Sequence, residues 1–301
     1  MVASLLLGPA GCGAKGAREA LRTVGQVMKK TYYDTETVET VRVGDIDVAF
    51  KQFGEGEPLV MITGYSTTMD TWDPDFLQAL ASKFKVVVFD NRGMGKTTAG
   101  TAPFTIDRFA DDTAGLIRAL GFGSAHVLGW SIGGDIALDV AVRHPDQVLK
   151  VVSYAGDCGG PQKVNAPRYK NVLKSLQDVD APAKRVLGAL YPGWYMEANP
   201  DYSARFPWPR SMSDPRNISR QNKAYEEWAG IYEELPRIDR PVLVSGGDLD
   251  VSTPWANASI LRDRIPDATV VEFKGAGHGL QYMYPYDFAY AIIRFLSDES
   301  K

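Results

Sequence analysis

From about residue 35 onward, apolar runs and amphipathic stretches take turns along the chain. Thr37–Val43 and Asp45–Phe53 alternate apolar and polar positions or nearly so, and Gly44 suits a tight turn between them, so the pair predicts an antiparallel hairpin. The runs that follow, Leu59–Ile62, Val86–Phe89, His126–Gly129, Leu149–Tyr154, Val242–Val244 and Thr269–Phe273, are short and almost continuously apolar. Strands of a parallel sheet covered on both faces have that character. Helical periods lie between them. Ile106–Leu120 carries apolar residues at 106, 109, 110, 114, 116, 117 and 120, with Gly121 as its stop, and Ile132–Val142, Trp255–Arg264 and Tyr286–Leu296 read as helices too. Strand and helix in repetition predict an α/β architecture, a mainly parallel, doubly wound, eight-stranded sheet.

The rhythm breaks between residues 159 and 237. That stretch is polar and proline-bearing yet dense in aromatics, including Tyr191, Trp194, Tyr195, Phe206, Trp208, Tyr225, Trp228 and Tyr232. It predicts a largely helical cap inserted into a core made of residues 35–158 and 238–301. Residues 1–34 fall outside that core, and 13–33 read as a spacer or short amphipathic helix.

Composition narrows the function. With 301 residues, 45% of them apolar, the chain can fill one sizeable α/β core. Net charge is -4, from 33 basic and 37 acidic residues, and no basic tract is present, which argues against a nucleic-acid partner. No apolar run approaches the roughly 18 residues a membrane span needs. The two cysteines, Cys12 and Cys158, make neither a disulfide framework nor a zinc cluster. Cys12 closes a short apolar stretch followed by small residues, similar to the tail of a bacterial lipoprotein signal, although no Lys or Arg precedes it and Pro9 stands where an aliphatic residue is usual. Two readings follow: an extracytoplasmic protein whose membrane contact is a lipid on Cys12, or a cytoplasmic protein with an unstructured N-terminus.

The strongest chemical signal is Gly129-Trp130-Ser131-Ile132-Gly133, set between an apolar strand and a helix. A serine on a sharp strand-to-helix turn sits in strained backbone, and bulky residues two positions away on either side would clash. The turn presents the hydroxyl, and the helix N-terminus aims N–H groups at developing negative charge. Such a serine needs a base. Of the three histidines, His126 lies inside the strand before the serine and His144 ends a helix in Arg143-His144-Pro145. His278, in Gly275-Ala276-Gly277-His278-Gly279, follows the last strand on the sheet edge that also carries Ser131, and is the candidate. The acid that orients it is Asp250 in preference to Asp248 or Asp157, each of which also follows a strand.

Five signatures over residues 35 to 298 make the chain resemble the α/β-hydrolase superfamily. They are Thr63-Gly64-Tyr65, where the family often has His-Gly-aromatic; Asp90-Asn91-Arg92-Gly93-Met94-Gly95; the serine turn; Gly247-x-x-Asp250-x-x-x-Pro254; and Gly277-His278-Gly279. Ser131, Asp250 and His278 also follow one another in the family's order. The resemblance implies an oxyanion hole from the backbone N–H groups of Tyr65 and Ile132, a loop-bracing role for Asp90 and Arg92, and catalysis without metal or organic cofactor. The implied reaction is acyl transfer on a small molecule, with a carboxylic ester as the default substrate. The aromatics of residues 159–237 suggest a hydrophobic acyl or alcohol group, and ordinary packing of cap helices on the core accounts for most of them at least as well. Carbon–carbon hydrolysis and perhydrolysis use the same residues, and a ligand-binding protein with an idle triad is the alternative of another class. A serine at 131 argues against the aspartate-nucleophile branches of the fold, epoxide hydrolases and haloalkane dehalogenases.

Overall fold

A computed structural model of the protein describes residues 37–166 and 182–297. Cys12, the proposed spacer 13–33 and part of the expected cap lie outside the described residues. The hairpin forms as β1 (Glu39–Val43) and β2 (Ile46–Phe53), paired in the register Val43↔Ile46 about the glycine turn. Six further strands follow: β3 (Glu57–Ile62), β4 (Phe84–Phe89), β5 (Ala125–Trp130), β6 (Val148–Tyr154), β7 (Val242–Gly247) and β8 (Ala268–Phe273). Together they make one eight-stranded sheet in the order β1-β2-β4-β3-β5-β6-β7-β8. The strands are antiparallel as far as β2–β4 and parallel from there on.

Alternation along the strands divides the core in two, because successive side chains leave a strand on opposite faces. Leu59, Met61, Val86, Val88 and Leu128 meet α1 (Pro74–Ala81) and, near the C-terminus, the helix Pro285–Leu296 on one side. Val60, Ile62, Val87, Phe89 and Val127 meet α2 (Ile106–Ala119), α3 (Ile132–Arg143) and the helix Ala256–Arg264 on the other. Both faces are therefore dry, which explains why β3 to β7 read as unbroken apolar runs.

Two elements extend the reading from sequence. α1 was not expected. Asp73 caps it by accepting a hydrogen bond from the Phe76 N–H (2.9 Å), and Pro74 fits its first turn, where no N–H is needed. β7 runs on past the apolar run Val242–Val244 through Ser245-Gly246-Gly247, because these residues pair with Val271, Glu272 and Phe273 of β8. Between β6 and β7 the described residues form α4 (Pro182–Leu190), α5 (Gly193–Ala198), α6 (Tyr202–Arg205) and α7 (Pro215–Glu226). The last helices of the chain are α8 (Ala256–Arg264), α9 (Leu280–Met283) and α10 (Pro285–Leu296).

One core group works against the fold. Asp139 of α3 is 3% exposed, and its Oδ2 has no hydrogen-bond partner among the described residues. It lies in the wall of a cavity of ≈ 660 Å³ bounded by α2, α3 and residues 224–237, away from Ser131. Burial pushes its carboxyl up to about 7; Asp107, Asp111 and Glu234 reinforce that, and Arg143 opposes it. A carboxyl raised in the native state favours folding while it is protonated. The unfolded chain ionises first, near 3.8, so this contribution is lost as pH climbs from there to about 7. Asp139→Asn therefore raises the Tm by several degrees at pH 8 and by little at pH 4, a difference that thermal denaturation at the two pH values measures directly.

Candidate active site

The turn between β5 and α3 holds Ser131 at φ 58° and ψ −126°, a left-handed conformation uncommon for a residue with a side chain. Close packing imposes it. A Cβ on Gly129 would stand 1.8 Å from the Gly133 carbonyl oxygen, and one on Gly133 would stand 2.4 Å from that of Ile62. Only glycine fits at either place. The Ser131 N–H donates to the Tyr154 carbonyl (2.8 Å), which ties the turn to the end of β6. Ile132 opens α3, so its N–H is one of those that a helix leaves without an internal acceptor. Ser131 itself is half-buried.

His278 and Asp250 come together at the same sheet edge. Nδ1 of His278 lies 2.7 Å from Oδ2 of Asp250, with both side chains buried. The other carboxylate oxygen accepts from the N–H groups of Ser252 (2.7 Å) and Thr253 (2.9 Å), so the acid is fixed at both ends. Its rivals are engaged elsewhere. Asp248 caps the histidine loop by accepting from the Gly275 N–H (2.6 Å). Asp157 accepts from the Gly159 N–H and the Tyr225 hydroxyl, and its N–H donates to the fully buried Asp135; burial pushes both carboxyls upward, and the charge of Asp157 pushes Asp135 further. His126 packs edge-on against Phe84 with Nε2 3.4 Å from Glu57, and His144 lies 2.9 Å from Asp111.

Two aromatic residues, not singled out from the sequence for this role, join histidine to serine. Trp130 and Tyr154 are register partners on neighbouring strands and stack at 6.1 Å. The indole N–H of Trp130 (3.1 Å) and the hydroxyl of Tyr154 (2.7 Å) both donate to the backbone carbonyl of His278. The Tyr154 hydroxyl also accepts from the Gln281 N–H (3.3 Å), and burial drives its ionisation far upward, so it stays a donor. The Trp130 and His278 rings are 5.6 Å apart. The residue before the serine thus touches the imidazole, and the strand that anchors the serine N–H also anchors the histidine carbonyl.

The loop after β3 lies against the turn, since a Cβ on Gly64 would be 3.4 Å from Cβ of Ser131. Thr63, in place of the usual histidine, is buried, and the Asn91 amide donates to its carbonyl (3.2 Å) and hydroxyl oxygen (3.3 Å). Asp90 accepts from the N–H groups of Met69 and Lys96, and burial pushes it up to about 6. Arg92 forms a bidentate pair with Asp112 and a further bond to Asp45, all at 2.7 Å. Both side chains brace loops. Among the described residues no group of three or more His, Cys, Asp or Glu is placed to hold a metal ion.

This sheet order, with a serine on a strand-to-helix turn, is that of the α/β-hydrolase class. The sequence model of the alpha/beta hydrolase fold family matches residues 57–283, and the chain belongs to that family. It is 31% identical to "Putative carbamate hydrolase RutD" of Caulobacter sp. (strain K31), over 81% of this chain and 92% of that one. The enol-lactonase from Burkholderia xenovorans LB400 is similar in structure, with a TM-score of 0.73 and 26% identity over 86% of this chain and 100% of that one. A thermophilic esterase from Thermogutta terrifontis shares the fold at a TM-score of 0.74 and 21% identity, over 87% of this chain and 98% of that one.

The Tyr154 hydroxyl can be tested alone. Tyr154→Phe removes one of the two bonds to the His278 carbonyl and strands the buried Gln281 N–H, which costs about 1–3 kcal/mol. The expected result is a fall of that size in unfolding free energy by denaturant titration, with the protein still folded.

Proposed function

We propose that the protein is a serine hydrolase that cleaves a small, hydrophobic carboxylic ester, cyclic esters included, through an acyl-enzyme on Ser131. The observation that carries this reading is the His278–Asp250 contact at 2.7 Å, in a loop tied to the residue beside Ser131. Asp250 holds the imidazole with Nδ1 protonated, so Nε2 is the basic nitrogen. Nε2 takes the Ser131 proton as Oγ bonds to the substrate carbonyl carbon. The N–H groups of Tyr65 and Ile132 hold the oxyanion. The bond to the leaving oxygen breaks and the imidazolium protonates that oxygen. Water then attacks the acyl-enzyme by the same route and restores the serine.

Surface chemistry supports a hydrophobic substrate. Tyr65 and Trp194 each leave more than two-fifths of their surface exposed, one beside the serine turn and the other bonded to the Gly275 carbonyl of the histidine loop. Of the other aromatics between β6 and β7, Tyr191, Tyr195 and Phe206 are buried and pack around Tyr282; Tyr225, Trp228 and Tyr232 are partly buried against the sheet core, and Trp208 is as exposed as Trp194. A carbamate is the second reading, favoured by the 31% identical relative. It needs the same nucleophile and a leaving amine or alcohol.

A substrate series separates these readings: p-nitrophenyl esters from acetate to decanoate, an aliphatic lactone and an aryl carbamate. The wild type is expected to hydrolyse short or medium esters, and Ser131→Ala and His278→Ala are each expected to lose at least about 10³-fold in kcat. Turnover of the carbamate alone would favour the second reading. A folded wild type that cleaves none of the series would overturn the catalytic reading.

A further inference from the structure

α7 is a polar helix with one anomaly. Its inward face is the stripe Ile218, Gln221 and Ala224, spaced three residues apart, and of the helix only Gln221 and Ala224 are buried. Periodicity calls for an apolar residue at the centre of such a stripe. The chain instead places a glutamine there, with no exposed surface at all. Burying an amide costs free energy unless its hydrogen bonds are made. Oε1 of Gln221 makes one, accepting from the Ser66 N–H at 2.8 Å. Nε2 has no partner among the described residues. An amide kept at such a position with one end unsatisfied is there for its acceptor.

The partner is a significant one. Ser66 follows Tyr65 in the loop after β3 and stands at φ 57°, again a left-handed conformation for a residue with a side chain. Asn91 holds the start of this loop at Thr63, and Asp90 holds its end at the Met69 N–H. The loop closes on itself where the hydroxyl and N–H of Thr67 donate to the Gly64 carbonyl (2.8 and 3.4 Å). The contact at Ser66 is supplied from between β6 and β7, 155 residues away. Fixing the Ser66 N–H fixes the peptide plane that follows Tyr65, and so limits the rotation that aims the Tyr65 N–H. The same helix and the residue before its cap reach the neighbouring loop, since Asn217 donates to the Gly93 carbonyl (3.1 Å) and the Ser213 hydroxyl accepts from the Gly95 N–H (3.0 Å).

We propose that Gln221 is a positioning residue that couples the helical insertion to the oxyanion hole: its side-chain carbonyl, by holding the Ser66 N–H, sets the direction of the Tyr65 N–H. This rests on the catalytic reading given above. It makes the seating of α7 on the core a condition for transition-state stabilisation, and any movement of the insertion a control on rate rather than on binding alone.

Three substitutions test it, with kinetics on the best p-nitrophenyl ester and Tm measured in parallel. Gln221→Met keeps length and shape but lacks the acceptor. It is expected to lower kcat about 10-fold or more, below the 10²–10³ typical of deleting a hole donor outright, with KM within about twofold and Tm unchanged or higher. Gln221→Asn keeps an amide one methylene too short to reach and is expected to fail like Met. Gln221→Glu keeps the acceptor and is expected to recover most of the wild-type kcat. Wild-type kcat in folded Gln221→Met, a loss confined to KM, or full activity in Gln221→Asn would each overturn the proposal. Should Glu unfold the protein, the Met and Asn variants still decide. Failure of the catalytic reading shows differently, as a wild type without Ser131-dependent turnover.

Discussion

At the turn after β5 a serine is held at φ 58°, in a conformation that costs on the order of 1–3 kcal/mol and persists only where its surroundings enforce it. Here they enforce it through contact distances. Gly129 and Gly133 pass so close to each other and to the Ile62 carbonyl that no side chain fits, and the Ser131 N–H is fixed to the Tyr154 carbonyl. This constraint organises the rest. β5 must lie between β3 and β6 for the turn to be gripped from both sides, and the observed strand order puts it there. α3 must leave at the angle that exposes its first N–H groups next to the serine.

The histidine loop depends on the same turn. Trp130 belongs to the constrained strand end, and Tyr154 is its register partner and the acceptor of the serine N–H. Both polar tips end on one carbonyl, that of His278. The geometry thus transfers the precision of two central strands to a glycine-flanked loop that has little of its own. Asp250, held by two backbone N–H groups, completes the line from the β7 side. Nucleophile, base and acid in the proposed mechanism come from three loops, but a single hydrogen-bonded unit spans them.

Much of this was legible because the signals were local. Parallel strands covered on both faces read as apolar runs, and the serine turn, the loop at His278 and the bracing pair at Asp90 and Arg92 each occupy a few adjacent residues. What escaped depends on distance or on facing. Asp250 is preferred over its neighbour Asp248 on sequence grounds, but what turns it toward the histidine, the backbone N–H groups of Ser252 and Thr253, shows only in the fold. α1 is short and opens on an Asp-Pro cap that the surrounding periodicity obscured. The Trp130–Tyr154 brace requires the register between two strands. The Gln221–Ser66 bond joins segments 155 residues apart, which no sequence window contains. The aromatics between β6 and β7 divide by facing, which their sequence does not show: Tyr191, Tyr195 and Phe206 pack around Tyr282, Tyr225, Trp228 and Tyr232 pack against the sheet core, and Trp194 and Trp208 stay exposed.

In the proposed mechanism this unit makes one serine nucleophilic. Labelling with a fluorophosphonate, followed by digestion and mass spectrometry of the adduct, tests it without any knowledge of the natural substrate. The expected result is a single stoichiometric adduct on the peptide that carries Ser131, absent in Ser131→Ala and formed at least about 10²-fold more slowly in His278→Ala. An unlabelled folded protein, an adduct on a different serine, or labelling indifferent to the loss of His278 would contradict it.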